Sequence, residues 1–195
     1  MDPPSPSPHP KKEGEPPQLP PRDPPTSALR IRRLTRSPTS ASVQVTEVEM
    51  ANIQSIWSKM MENLEKNGID IFTRMFREYP ETKKYFKNIP LEGNLQENPL
   101  LRSHGRRVMV ALDRIIQNLD NWKQVCKILN PLAEKHKIIH SVEVQNFQFM
   151  LKCVGDMCQD SLGPGYTPEM AESFQKLQSS LYDQVVITYL HANSD

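Results

Sequence analysis

Two stretches of the chain place a histidine within a helical row of apolar side chains. Between residues 99 and 118, apolar residues and one histidine recur at steps of three and four, the spacing of one face of an α-helix. That row is Leu101, His104, Val108, Leu112 and Ile115. Leu129, Leu132 and His136 follow the same spacing further along the chain. Each of the two predicted helices therefore carries one histidine on its apolar face.

The two histidines are 32 positions apart, which leaves room for a helix end, a loop and a returning helix. The two rings can therefore face each other across a slot. A flat iron-bearing macrocycle would fill that slot, because neutral imidazole is a normal axial ligand of haem iron. The opposite ring would then either bind the metal or donate a hydrogen bond to a gas held on it. The alternative is a pair of core histidines in an unrelated helical bundle, each with a polar partner.

Further helix boundaries are signalled by capping residues and prolines. Thr46 to Glu49 form a capping box, which predicts that the first helix begins there. A second helix is expected from Gly68 to Phe76, and Tyr79-Pro80 ends it. Asn98-Pro99 predicts the start of the helix that carries His104.

A loop is predicted at residues 87–97, before the helix that carries His104. After the helix of His136, two more helices are predicted, from Val142 to about Leu162 and from Thr167-Pro168 onward. The side chains expected to face the core from the first, second and last helices are Val48, Ile53, Ile56, Trp57, Phe72, Met75, Phe76, Phe174, Leu177, Leu181, Val185 and Ile187.

Composition separates an N-terminal tail from the rest of the chain. Twelve of the 18 prolines lie before residue 39, and residues 1–45 have little apolar periodicity, so this segment is predicted to be disordered. Residues 46–191 are predicted to form one helical domain, and residues 192–195 a short end. The tail holds 7 Lys and Arg against 4 Asp and Glu, and the remainder 17 against 19. This nearly neutral domain gives no reason to expect a nucleic-acid partner.

The remaining sequence signals concern partners and compartment. Residues Pro17 to Arg22 match a PxxPxR ligand for an SH3-type domain, although a solvated linker is the simpler interpretation. Three cysteines without metal-type spacing are expected to be free thiols. No apolar run approaches the 18 residues of a membrane span, so no stable membrane insertion is expected. A cytoplasmic protein is the prediction.

The run LRSHGRRVMVAL together with LNPLAEKH resembles the vertebrate globin family, in particular cytoglobin and myoglobin. The similarity extends from about Thr46 to His191. It implies an all-α fold, with three helices packed over three around haem b. It also implies that His136 is the proximal iron ligand, and that His104 is the distal histidine, either a gas contact or a sixth ligand.

The same resemblance assigns roles to other residues of the cleft. Phe86 would stack on the haem and Phe72 would overhang its distal side, where neither ring can donate a hydrogen bond. Arg107 and His140 would reach the haem propionates or the haem edge, and Tyr189 would donate a hydrogen bond to the backbone near Val142. The remaining residues expected to bind the cofactor are Val108, Leu132, Val142, Phe147 and Met150. A zinc site at His136 and His140 is the competing interpretation, and it would need further ligands.

Two departures from myoglobin-like chains concern the surroundings of the iron. Lys135 replaces a hydroxyl that helps to hold the proximal ring, so the Nδ1 proton of His136 would depend on the carbonyl of Leu132. The segment from Phe86 to His104 is about three residues shorter, which leaves open whether a small helix exists at this corner.

Three functions are compatible with the sequence. The first is reversible binding of dioxygen and other diatomic gases, for carriage, storage or buffering. The second is a redox enzyme, a nitric oxide dioxygenase or nitrite reductase, that depends on a cellular reductase. The third is a haem-free helical interaction module. Whether the resting iron would be five- or six-coordinate is also left open.

Overall fold

The structure is a computed structural model that describes residues 45–192. The predicted disordered tail, its Pro17 to Arg22 motif and the last residues of the predicted C-terminal end lie outside the described part. Residues 45–192 form α-helices and short 3-10 turns, with no strand among them. The helices are α1 (Glu47–Met61), α2 (Leu64–Glu78), α3 (Pro99–Ile116), α4 (Trp122–Ile138), α5 (Gln145–Leu162) and α6 (Pro168–His191). The 3-10 turns are Pro80–Tyr85, Leu95–Glu97 and Gly163–Gly165.

The helix starts that were predicted from capping residues are confirmed. The Thr46 side chain accepts a hydrogen bond from the Glu49 amide at 3.2 Å, and the Glu49 carboxylate accepts one from the Thr46 amide at 2.8 Å. Asn98 Oδ1 accepts hydrogen bonds from two amides of the first turn of α3, both at 3.0 Å. Thr167 caps α6 in the same way, at 3.3 Å. These caps satisfy amides that have no partner within their own helix.

Other boundaries differ from the sequence prediction. Helix α2 begins at Leu64 rather than Gly68, and α5 begins at Gln145 rather than Val142. Val48 was expected on the inner side of α1 but is 71% exposed, because it lies in the first turn, ahead of the buried residues that begin at Ile53. The loop at residues 87–97 contains the 3-10 turn Leu95–Glu97, so this corner keeps one short helical turn.

Helix α4 is longer than the sequence indicated. It begins at Trp122, where the Asn121 side chain accepts a hydrogen bond from the Gln124 amide at 3.1 Å. Pro131 lies inside the helix, although proline has no amide proton to continue the hydrogen-bond ladder. The helix nevertheless continues for two more turns and carries His136 near its end.

The six helices form two layers of three. Helix α3 packs against α1 and α4 in one layer, and α5 packs against α2 and α6 in the other. The layers meet where α2 crosses α3 and where α6 packs against α1 and α4. The predicted three-over-three arrangement is therefore confirmed. Nearly every side chain predicted to face the core is buried, the exceptions being Val48 and the partly exposed Ile187.

The crossing of α2 over α3 depends on a pair of glycines. A Cβ atom added at Gly105 would lie 2.6 Å from the carbonyl carbon of Gly68, and one added at Gly68 would lie 2.7 Å from that of Gly105. No other residue allows the two backbones to come this close. Because Gly105 directly follows His104, this contact fixes the distance between α2 and the backbone that carries His104.

Cys126, Cys153 and Cys158 are free thiols, as predicted. Burial raises the pKa of Cys153 to about 11 and that of Cys158 to about 12, so both stay protonated at neutral pH. Across residues 45–192 no helix has the length and apolar character needed to cross a membrane.

Candidate functional site

The imidazole of His136 is oriented by its own helix. Its Nδ1 lies 2.7 Å from the carbonyl oxygen of Leu132, one turn earlier in α4. A carbonyl can only accept a hydrogen bond, so Nδ1 carries the proton and donates it. The lone pair of the neutral ring is then on Nε2, the nitrogen that points away from the helix backbone. This is the state in which a histidine binds a metal, with the other nitrogen anchored by a carbonyl.

The neutral state of His136 is favoured by its surroundings. Burial lowers the pKa of His136, nearby His140 and Lys135 lower it further, and the hydrogen bond to Leu132 acts in the opposite direction. The ring of Phe147 packs edge-on against His136, with centroids 5.1 Å apart. Phe147 in turn contacts Tyr189 at 5.8 Å. Aromatic side chains therefore pack beside the ring of His136.

His104 lies on α3 and packs against two phenylalanines, which also contact each other. Its ring centroid is 4.9 Å from that of Phe72 and 5.4 Å from that of Phe86, both in edge-on geometry. Burial lowers the pKa of His104 to about 4, and the charges of Arg107, His136 and His140 act in the same direction. The ring is therefore neutral at pH 7. Helices α3 and α4 pack against each other, and the charge of His136 acts on the pKa of His104, so the two rings belong to one region of the molecule.

Arg107 contacts His104 directly. Its Nη2 lies 3.2 Å from His104 Nδ1, and its Nη1 donates to the Ser103 hydroxyl at 3.2 Å. Sequence reasoning placed Arg107 near the mouth of the cleft but did not anticipate this contact. The spacing of three residues along one helix is the signal that would have found it.

Of the other residues predicted to bind the cofactor, most lie on helices α3, α4 and α5, whereas His140 and Val142 lie in the turn between α4 and α5. Leu132 and His140 are exposed. Val108, Val142, Phe147 and Met150 are partly buried. The hydroxyl of Tyr189 donates to the Val142 carbonyl at 3.0 Å, as expected from the sequence. This bond ties the end of α6 to the corner between α4 and α5.

A cleft of about 530 Å³ opens between the Pro80–Tyr85 turn and the α4–α5 corner, a volume within the range of small-molecule pockets. It is lined by Lys84, Tyr85, Lys87, Asn88, Ile139, His140, Ser141 and Glu143. Lys84 forms an ion pair with Glu143 across this opening at 3.3 Å. Apart from His140, none of these residues was predicted, because the ion pair joins positions 59 apart and has no local pattern.

Comparison with known proteins agrees with this geometry. Residues 69–185 match the family model described as Globin. The chain is 33% identical over 133 residues to hemoglobin subunit alpha-D of Phalacrocorax carbo, covering 68% of this chain and 90% of that protein. It is 29% identical over 148 residues to cytoglobin-1 of Oryzias latipes, covering 74% and 84% respectively. The chain belongs to the globin family.

Membership of this family makes the protein a haem-binding globin, and the donor set in its cleft fits that cofactor. Both imidazoles are neutral, and His136 has its Nε2 lone pair unused by any other described residue. The side chains packed on the two rings, Phe72, Phe86 and Phe147, are apolar. None of them lines the 530 Å³ cleft, which shares only His140 with the predicted site and carries Lys84 and Lys87, basic side chains that suit the carboxylates of haem. Within residues 45–192 of this globin, no three His, Cys, Asp or Glu side chains form a group suited to a bare metal ion such as zinc.

Proposed function

We propose that this globin binds haem b between His136 and His104 and uses it to bind dioxygen and other diatomic gases reversibly, in the cytoplasm. When bound, haem supplies a ferrous iron with one open or displaceable position for a gas. The observation that supports the proposal is the hydrogen bond from His136 Nδ1 to the Leu132 carbonyl, which leaves the Nε2 lone pair free for iron. The neutral ring of His104 would lie on the opposite face of the cofactor. The cytoplasmic location rests on the sparse, unpaired cysteines.

His136 would hold the iron through Nε2. The Leu132 carbonyl keeps the proton on Nδ1 and fixes the rotation of the ring, the task that a hydroxyl before the histidine shares in myoglobin-like chains. Phe147 packs on this ring and Met150 lies one helical turn later on α5, so both would cover the same face of the cofactor.

His104 would be the polar contact for the gas on the opposite face. Phe72 and Phe86 hold its ring in place and can neither donate nor accept a conventional hydrogen bond. Together with Val108 they would keep water away from the iron, which slows its oxidation. A hydrogen-bond donor at His104 would favour a gas with partial negative charge, such as dioxygen, over an apolar one.

At the opening, basic side chains would receive the two haem carboxylates. Lys84, Lys87 and His140 line this opening, and Val142 lies beside it at the α4–α5 corner. Arg107 also contributes a positive charge near the cleft. The Lys84–Glu143 ion pair is exposed and contributes little to stability, so it can open at low cost when the cofactor enters.

The proposal is tested by cycling the purified ferrous protein between oxygen and argon. Reversible binding predicts that the absorption spectrum alternates between the same two forms over several cycles. The competing redox function predicts that nitric oxide is consumed catalytically only when a reductase is supplied. Conversion of most of the protein to the ferric state in the first cycle would contradict a carrier or store. A protein without a Soret band after expression with haem would instead favour the haem-free interaction module.

A further inference from the structure

The hydrogen bond between Arg107 and His104 determines which nitrogen of His104 carries the proton. A guanidinium has donors only, so His104 Nδ1 must accept this bond through its lone pair. A neutral imidazole has one proton, which is then on Nε2. The second contact of the guanidinium, to the Ser103 hydroxyl, holds it against α3 in the position that this bond requires.

The surroundings of His104 leave the opposite side of the ring unpartnered. The rings of Phe72 and Phe86 pack against it, and no described residue accepts a hydrogen bond from Nε2. Burial keeps the ring neutral, so a second proton does not compete for Nδ1. The Nε2 proton is therefore available to a ligand in the cleft, while the Nε2 lone pair that a metal would need is absent.

We propose that Arg107 is a positioning residue that holds the proton of His104 on Nε2, so that His104 donates a hydrogen bond to a bound gas and does not bind the iron itself. This inference rests on the proposed haem site. For His104 to become a sixth ligand, Arg107 would have to release Nδ1, and the proton would have to move from Nε2 to Nδ1. The sequence left the coordination number of the resting iron open, and this inference assigns five-coordinate ferrous iron.

Three substitutions at position 107 separate this role from those of size and charge. Arg107→Lys keeps a donor, Arg107→Met keeps length without hydrogen bonding, and Arg107→Glu offers only acceptors, which would draw the proton to Nδ1. The expected order of six-coordinate iron is Glu above Met above Lys. A charge-assisted hydrogen bond corresponds to a factor of about ten to one hundred, so the ratio of six- to five-coordinate iron should rise by about that factor in Arg107→Glu.

The matched control is Arg106→Glu. Arg106 is adjacent in sequence and exposed, and it pairs with Glu65 at 3.1 Å rather than with His104. The substitution makes the same change of charge beside the cleft without supplying an acceptor to Nδ1. Its ferrous spectrum should match that of the wild-type protein.

The experiment combines two readouts on the full chain. The absorption spectrum of the deoxygenated ferrous protein reports the coordination, and two-dimensional NMR of the 15N-labelled histidine rings reports the tautomer of His104 whether or not haem is present. We expect five-coordinate iron with an unprotonated Nδ1 in the wild-type protein and in Arg107→Lys, and the reverse tautomer in Arg107→Glu. A six-coordinate wild-type protein, or the same tautomer in Arg107→Lys and Arg107→Glu, would overturn the inference. Absence of a Soret band in every variant would instead overturn the proposed function, with the tautomer still decided by NMR.

Discussion

The two histidines of the cleft are held by opposite kinds of partner. The Nδ1 of His136 donates to a backbone carbonyl, which leaves a lone pair on Nε2, whereas the Nδ1 of His104 accepts from the Arg107 guanidinium, which leaves a proton on Nε2. His136 is therefore prepared to bind a metal, and His104 is prepared to donate a hydrogen bond. The role of each histidine is therefore determined by the hydrogen-bond partner of its Nδ1 atom, and not by the residue type alone.

The largest expected effect comes from removing the hydrogen-bond donor, His104, while His136 is kept. In His104→Leu, the rate of dioxygen dissociation from the ferrous protein should rise by about ten- to one-hundredfold, since a hydrogen bond to a partly charged ligand contributes about 1.5–3 kcal/mol. Haem content should be unchanged, because His136 is intact. Flash photolysis and stopped-flow mixing measure the rate. His191→Leu is the matched control, since His191 is exposed near the end of α6. Equal dissociation rates in the two variants would remove His104 from the gas site.

A smaller effect should follow from separating α3 from α2. Gly105→Ala forces a Cβ atom against the Gly68 backbone, an overpacking cost of about 3 kcal/mol, offset by about 1 kcal/mol of helix propensity. The free energy of unfolding should fall by about 2 kcal/mol, as measured by urea denaturation. Gly165→Ala is the control, because a Cβ atom there meets no other atom within 4 Å. If both variants kept wild-type stability, the close crossing would not position His104.

The burial of His104 should also make the free energy of unfolding depend on pH. Below about pH 6.5 the unfolded chain binds a proton at His104 that the folded chain binds only near pH 4, so stability should fall as the pH falls through this window. The loss attributable to His104 is at most about 1.4 kcal/mol per pH unit. Denaturation of the wild-type protein and of His104→Leu between pH 7 and pH 4 measures the difference. A difference that stays constant across this range would contradict a buried neutral ring.

The smallest effect concerns the hydrogen bond between the end of α6 and the turn that follows the helix of His136. Tyr189→Phe removes the hydrogen bond to the Val142 carbonyl and should lower the free energy of unfolding by about 1 kcal/mol. Haem should also dissociate faster, because the α4–α5 corner lies beside the opening. Tyr182→Phe is the control, since the Tyr182 hydroxyl has no hydrogen-bond partner among the described residues. Thermal unfolding and haem transfer to an acceptor protein measure the two effects, and identical behaviour of the variants would show that the Tyr189 bond contributes nothing.

Much of this contrast could be predicted from the sequence because it depends on local spacing. The rows that contain His104 and His136, the caps at Thr46, Asn98 and Thr167, and the Leu132 partner of His136 all involve residues within one or two helical turns. Such contacts follow from helix geometry alone.

The features that were missed depend on tertiary structure or on competing local signals. The start of α4 at Trp122 was not predicted, because the row of Leu129, Leu132 and His136 marks only the second half of this helix. Val48 has the hydrophobicity of a core residue but lies ahead of the part of α1 that the other helices cover. The Lys84–Glu143 pair brings together two distant surface loops, so no periodicity could reveal it.

Haem binding in this protein would depend most on the Nε2 atom of His136 as the iron ligand. The direct test is the carbon monoxide difference spectrum of the ferrous His136→Gly variant, recorded with and without added imidazole. We predict that the variant loses the spectrum of the wild-type protein and that free imidazole, entering the space of the missing ring, restores it. An unchanged spectrum in the variant without imidazole would contradict the account.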